Sequence, residues 1–177
     1  MDQQQAGNGP RVIVIGSGFG GLGMGFTLRA ALAVLPDDAE VVVAELVPAV
    51  VAWARGPMAE VFKGCLDDPR VAIFEGDVGE AIRAAKAGFD AILLDVDNGP
   101  DGLTRKSNDR LYDYGGINAA KAALRGGGVL AVWSSGPDTS FTRRLKDGGF
   151  ATEAISTRAG KGRGARHVIW LAVKPGR

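Results

Sequence analysis

The sequence predicts a single α/β domain built on a mostly parallel sheet, and three observations carry that reading. Short apolar runs alternate with helix-period segments from residue 11 to about residue 150. Four of those runs end on a glycine cluster or an acid: residues 12–15 before Gly16, 41–44 before Glu45, 71–74 before Glu75-Gly76-Asp77, and 89–94 before Asp95. The chain then closes on two strand-like runs with no helix between them. Parallel neighbours need a crossover helix, whereas a direct hairpin joins antiparallel ones. The expected architecture is therefore a parallel sheet covered by helices on both faces, with an antiparallel strand added by the closing hairpin.

The elements follow in order. After the strand at 12–15 comes GSGFGGLGMG, residues 16–25, and then a helix read over 26–34 and ended by Pro36-Asp37-Asp38. Glycine is needed in such a turn because some backbone positions take positive φ and because a ligand approaches the main chain only where no Cβ stands. The second strand spans 40–45. Pro48 suits the first turn of the next helix, whose apolar face is read as Val50, Val51, Trp53 and Ala54, with Trp53 assigned to the core and an adenine platform just after Glu45 as its alternative. Gly56-Pro57 interrupts that helix and 58–63 resumes it. The third strand is 71–74, and Asp77 with Glu80 has capping-box spacing before a helix with Val78, Ala81, Ile82 and Ala85 on one face. The fourth strand, 89–94, leads to Asp95. Residues 98–110 form a polar loop long enough to act as a lid. One helix over 111–124, a glycine stop at 126–128, a fifth strand at 129–133, a short helix opened by Pro137-Asp138, and strands near 150–157 and 167–173 complete the chain.

Composition bounds the function. With 177 residues, 46% hydrophobic and 23% charged, the chain suits one globular domain, read as 11–177 after a disordered polar segment, 1–10. The 21 basic and 20 acidic residues nearly cancel, so overall charge argues neither for nucleic acid nor for a membrane surface. Cys65 is the single cysteine, read as a buried small hydrophobe; it excludes an intramolecular disulfide and a multi-cysteine zinc site, and it is consistent with a cytoplasmic protein. No run approaches the roughly 18 apolar residues of a membrane span. No metal is expected.

Ligands of open α/β sheets bind beyond the carboxyl ends of the strands. The glycines at 20–25, Glu45, Asp77 and Asp95 should collect there. Two glycine registers overlap: Gly16-x-Gly18-x-x-Gly21 has the dinucleotide spacing, while Gly21-x-Gly23-x-Gly25 is the looser pattern of S-adenosylmethionine folds. Glu45 lies 29 residues beyond Gly16 and 24 beyond Gly21, nearer in the later register to the roughly 20 residues expected before the acid that holds ribose hydroxyls. Each acid also has a structural reading, Glu45 and Asp77 as helix caps and Asp95 as a turn former. His167 on a strand is assigned a structural role, and the basic loop of Arg158, Lys161, Arg163 and Arg166 a solvated hairpin tip. Tyr112 and Tyr114 are left open between lining a pocket and packing.

This order of elements outlines the seven-stranded methyltransferase fold. Within it the sequence resembles the spermidine synthase family, the polyamine aminopropyltransferases, through GGLGMGFTLRAAL, VVVAELVPAVVAWAR, DDPRVAIFEGDVGEAI, FDAILLDVDNGP and GGVLAVWSS. The most specific stretch is 90–100, a strand ending in Asp-x-Asp-x-Gly-Pro. The resemblance implies a cytoplasmic transferase that moves an aminopropyl or methyl group from decarboxylated S-adenosylmethionine or S-adenosylmethionine to a small amine acceptor. Gly20, Gly21, Gly23 and Gly25 would approach that ligand, Glu45 would bind its ribose and Asp77 would face its adenine amine. Asp95 would be the base that deprotonates the amine, and Asp97 would anchor it. The aspartate that the family's glycine loop carries is replaced by Phe19 or Gly23, and the family's N-terminal hairpin domain has no counterpart in the ten polar residues before the first strand. An O- or N-methyltransferase and a non-catalytic nucleoside-binding or dimerisation module are the competing readings. Oligomeric state, a homodimer included, stays open.

Overall fold

The structure is a computed structural model and describes residues 9–17, 21–96, 109–158, 164 and 166–176. Seven strands form one sheet in the order β3-β2-β1-β4-β5-β7-β6: β1 Arg11–Ser17, β2 Glu40–Glu45, β3 Val71–Glu75, β4 Phe89–Val96, β5 Leu124–Ser134, β6 Ala151–Arg158 and β7 Arg166–Val173. The first five pair in parallel, while β7 runs antiparallel between β5 and β6. The predicted fold class, including its antiparallel C-terminal hairpin, is thus the observed one.

Helices α4 Val78–Ala84, α5 Asp109–Tyr112, α6 Tyr114–Ala123 and α7 Thr139–Asp147 pack on one face of the sheet. Its buried core runs from Ile13 and Ile15 across Ile92, Leu94, Leu130 and Val132 to Trp170 and Ala172. There Phe141 meets Tyr112 and Trp170 edge-on, with centroids 5.7 and 5.0 Å apart. On the other face α1 Gly21–Val34, α2 Pro48–Arg55 and α3 Ala59–Phe62 bury Val12, Val14, Val41 and Val43. That second layer is narrower than expected. Val129, Ala131 and Trp133 of β5 and Ile169 and Leu171 of β7 point to the same side, belong to neither core cluster, and stay partly exposed. Among the described residues, the second face is covered over β1 and β2 but not over β5, β7 and β6, because each parallel crossover supplies one helix and the closing hairpin supplies none.

Four sequence readings change. The first helix begins at Gly21 rather than at Phe26, so Gly21, Gly23 and Gly25 are helical. Glycine is a poor helix former, yet here α1 must approach α3 closely: a Cβ on Gly25 would lie 3.2 Å from the Phe62 ring. The helix read over 111–124 is two, α5 and α6, with Asp113 capping the second by accepting from the Gly116 N–H at 2.8 Å. A Cβ on Gly116 would collide with the carbonyl of Arg110, so this glycine permits the junction. Residues 126–128 do not stop a helix but lie inside β5, with Gly127 at φ 82. Trp53 is 44% exposed rather than core: Val50, Val51 and Ala54 occupy the inward face of α2, and position 53 turns outward.

The amino end of the sheet is held by polar groups. Asp90 Oδ2 accepts from the Arg11 N–H of β1 at 2.7 Å and from Arg125 Nη1 of β5 at 2.6 Å, tying three strands together. Lys174 Nζ donates to the carbonyls of Lys121 and Leu124 at 2.7 and 2.6 Å, fixing the passage from α6 into β5. Gly9 is buried against Asp38, and the Pro10 carbonyl accepts from Glu40 N–H at 3.0 Å.

Candidate functional site

The carboxyl ends of β3, β2, β1 and β4 lie side by side in that order. Three strand spacings set the row at about 14 Å. Gly16 pairs with Asp95, and Glu45 with Glu75. Side chains alternate across a strand, so Glu45 follows Val41 and Val43, and Asp95 follows Ala91 and Leu93, onto the face that α1 covers. The sheet therefore brings Glu45, the end of β1 and Asp95 together at one rim, with Asp77 in the turn after β3.

Asp95 is half-buried at the end of β4. Burial pushes its carboxyl above the ordinary carboxylate range, and the Thr27 hydroxyl, donating to Oδ2 at 3.0 Å, partly opposes that rise. Thr27 stands in the second turn of α1, so the helix that leaves the glycine turn also holds the acid. No local pattern pairs two residues 68 positions apart, and a threonine near a helix start carries no signal of its own. A partly desolvated carboxylate of raised pKa is a stronger base than an exposed one.

Glu45 is fully buried, not the exposed strand-end acid that an independent ligand-binding group would be. Its Oε1 accepts from the Val47 N–H at 2.8 Å, which fixes the turn from β2 into α2. The Glu45 carbonyl accepts from Gly76 N–H at 3.0 Å and so joins this turn to the one after β3. Asp77 is the N-cap of α4, accepting from Gly79 N–H at 2.7 Å, while its side chain remains exposed at the rim. The cap predicted from spacing is present. Gly25 packs on Phe62, away from this rim, whereas Gly21 and Gly23 lie in the first turn of α1. Gly20, Asp97, residues 98–108 of the loop read over 98–110, and Lys161 and Arg163 of the basic loop fall outside the described residues, whereas Asp109 and Arg110 open α5, Arg158 ends β6 and Arg166 begins β7.

The remaining candidates divide. Tyr112 is buried in the core, and Tyr114, 48% exposed, donates from its hydroxyl to Asp147 at 3.0 Å. His167 stacks on Trp133 with centroids 4.9 Å apart, consistent with the structural assignment. Cys65 is buried, and burial raises its thiol pKa, so it is held neutral. No described helix is long and apolar enough to cross a membrane.

The strand order and the acid-bearing rim define the class I methyltransferase fold. No protein-family model matches the chain. Curated relatives do: it is 32% identical over 153 residues to a polyamine aminopropyltransferase of Mycobacterium tuberculosis, a match covering 81% of this chain and 28% of that protein. A polyamine aminopropyltransferase of Nitrosomonas europaea is 32% identical over 131 residues, covering 74% of this chain and 37% of that one. Among solved structures, spermidine synthase from Thermotoga maritima superposes with a TM-score of 0.71 at 24% identity, over 96% of this chain and 54% of that chain. The CurJ carbon methyltransferase superposes with a TM-score of 0.62 at 12% identity, which shows the shared fold. Over most of its own length the chain is thus similar to polyamine aminopropyltransferases, as its motifs indicate, and it shares the fold of spermidine synthase. The chain spans about a third of the curated relatives' length.

Proposed function

We propose that this chain transfers an aminopropyl group from decarboxylated S-adenosylmethionine to a small amine, with Asp95 as the base. The observation that carries the reading is Asp95 itself: a carboxyl raised by burial, clasped by Thr27, at the strand end beside the glycine turn. An ammonium has no lone pair to attack with, so the acceptor must first lose a proton. Asp95 takes it. The freed amine then attacks the carbon bonded to the sulfonium sulfur, the new C–N bond forms as the C–S bond breaks, and the bond pair leaves with sulfur as a neutral thioether.

In this reading Glu45, at the end of β2, receives the ribose hydroxyls, and Asp77 meets the adenine amine from the rim. Gly20, Gly21 and Gly23 let the ligand approach the backbone, and Asp97 anchors the acceptor's second ammonium. Gly25 is left to packing. Methyl transfer from S-adenosylmethionine is the second reading. It is favoured by one feature, the Phe19 or Gly23 that stands where an aspartate would hold the aminopropyl amine.

Mass spectrometry of products formed from each donor with a set of diamines tests both. The expected result is aminopropyl product with the wild type and a fall of roughly 10² to 10⁴ in turnover with Asp95→Asn, whose shape is conserved. Equal product from the two proteins would remove Asp95 from the chemistry. Nucleoside binding without product from either donor would leave a binding module.

A further inference from the structure

A groove of about 720 Å³ lies on the outer side of α1, between that helix and the connection from α3 to a single 3-10 turn, Cys65–Asp67. Its floor is apolar, from Leu32 and Cys65. Phe26, 60% exposed, stands at its wall. The Arg29 guanidinium lies 5.7 Å from the Phe26 ring centroid and donates from Nη1 to the Val61 carbonyl at 3.2 Å, which brings it to within two residues of Lys63. Lys63 and Gly64 both take left-handed backbone, φ 50 and 71, so the chain turns sharply at the groove.

The groove is lined by two cations, Arg29 and Lys63, and two acids, Asp67 and Asp68, and the acids are engaged by arginines that lie outside it. Asp68 is engaged by Arg70, which donates from Nε at 3.0 Å and from Nη2 at 2.9 Å and holds the acid down to about 2. Asp67 is paired with Arg55 at 3.6 Å. Among the described residues, neither Arg29 nor Lys63 has a carboxylate within ion-pair distance. Both acids at the groove are thus matched from outside it, and two cations remain beside an exposed aromatic ring over an apolar floor. A recess of this size with a few convergent polar groups has the make-up of a small-molecule site.

We propose that this groove is a second ligand site and that it takes a small organic anion bearing one flat apolar group. The flat group lies against Phe26 and the floor, and the carboxylate or phosphate lies between Arg29 and Lys63. A guanidinium offers a fork of donors that matches such an anion, and the ammonium adds a point charge. The site is separate from the rim that holds Asp95: Arg29 stands about 160° and Phe26 about 100° around α1 from Thr27, whose hydroxyl binds that acid, and neither Thr27 nor Asp95 lines the groove.

Calorimetric titration with phenyl phosphate, benzoate, inorganic phosphate and the uncharged benzyl alcohol tests this. Phenyl phosphate should bind at one saturable site, benzyl alcohol should not, and the ranking of benzoate against phenyl phosphate identifies the preferred anion. Lys63→Gln changes only an exposed side chain and should weaken phenyl phosphate about 10-fold, as should Arg29→Gln. Phe26→Ala should bring phenyl phosphate down to the affinity of inorganic phosphate. Methylthioadenosine should not displace the probe. Absence of saturable binding overturns the proposal. So does unchanged affinity in the Arg29→Gln/Lys63→Gln double variant when circular dichroism shows it folded, and so does displacement by methylthioadenosine, which would put the probe in the nucleoside site.

Discussion

Thr27→Val isolates what α1 does to Asp95. Valine keeps the branched shape and loses the hydroxyl that donates to Asp95 Oδ2 at 3.0 Å. That bond favours the charged carboxylate, and burial disfavours it, so its loss moves the Asp95 pKa further above the ordinary range. A hydrogen bond to a charged acceptor contributes about 1.5 to 3 kcal/mol. Water reaching a half-buried carboxyl replaces part of it, leaving on the order of 1 kcal/mol, or about fivefold in the protonation equilibrium. If Asp95 is the base, the acid limb of kcat/KM moves to higher pH in the variant. At a fixed pH on that limb the rate falls about fivefold, while the plateau stays where it was. Stability moves with the same sign. A carboxyl with raised folded pKa stabilises the fold in its protonated form below the unfolded pKa, and that contribution is lost as pH rises through the folded one. Thr27→Val should therefore melt lower than wild type at neutral pH and converge with it in acid, apart from any packing offset common to all pH values. Profiles of kcat/KM and melting temperature against pH would be recorded side by side. Superimposable acid limbs, or a limb displaced to lower pH, would refute the assignment.

Glu45→Ala removes the acceptor of the Val47 N–H and should cost about 1.5 to 3 kcal/mol. That corresponds to a fall of roughly 3 to 12 °C in melting temperature, with Glu45→Gln much milder; a melting curve unchanged in the alanine variant would show that the bond does not hold the turn. Under the proposed function the same variant also weakens nucleoside binding, read by calorimetry at a temperature where it stays folded. Asp97→Asn should raise the acceptor KM about 10-fold with little change in kcat, and a selective loss of kcat would move the residue from anchoring to chemistry. Gly116→Ala drives a methyl into the Arg110 carbonyl and should destabilise by about 1 to 3 kcal/mol in chemical denaturation, whereas Gly115→Ala, whose Cβ would meet Asp113 Oδ1 at 3.1 Å, should cost less.

Strand positions were legible because a buried parallel strand must be an apolar run, and 12–15, 41–44 and 89–94 each end on a glycine or an acid. Asp77 was legible as a cap because capping is local, decided within three residues. The start of α1 was not. Glycine's low helix propensity argues against a helix at Gly21, and what reverses it is contact with Phe62, a residue 37 positions after Gly25. Trp53 misled for a similar reason: an apolar side chain beside two buried valines reads as core until the direction of the sheet relative to α2 is known. Glu45 was placed at the correct strand end and read as a ribose ligand or a cap, and only the folded turn shows that it is fully buried with its carboxylate serving Val47. The partly uncovered second face had no signal at all, because the same alternation describes a strand under a helix and a strand under water.

The two ends of the sheet are built differently. At the amino end, Asp90 binds β1, β4 and β5 through its own carboxylate, and Lys174 closes the entry to β5. At the carboxyl end, among the described residues, the rim is held by the Thr27–Asp95 clasp and by turns that face outward. Opening of the strands therefore begins at the rim and travels toward the staple, so amide protons near Ile15 and Leu94 exchange with solvent sooner than those near Val12 and Ala91. A ligand seated on the rim would supply the missing clamp and reverse that gradient without shifting a strand, making the exchange rates at the two ends of β1 and β4 a gauge of occupancy that needs no turnover.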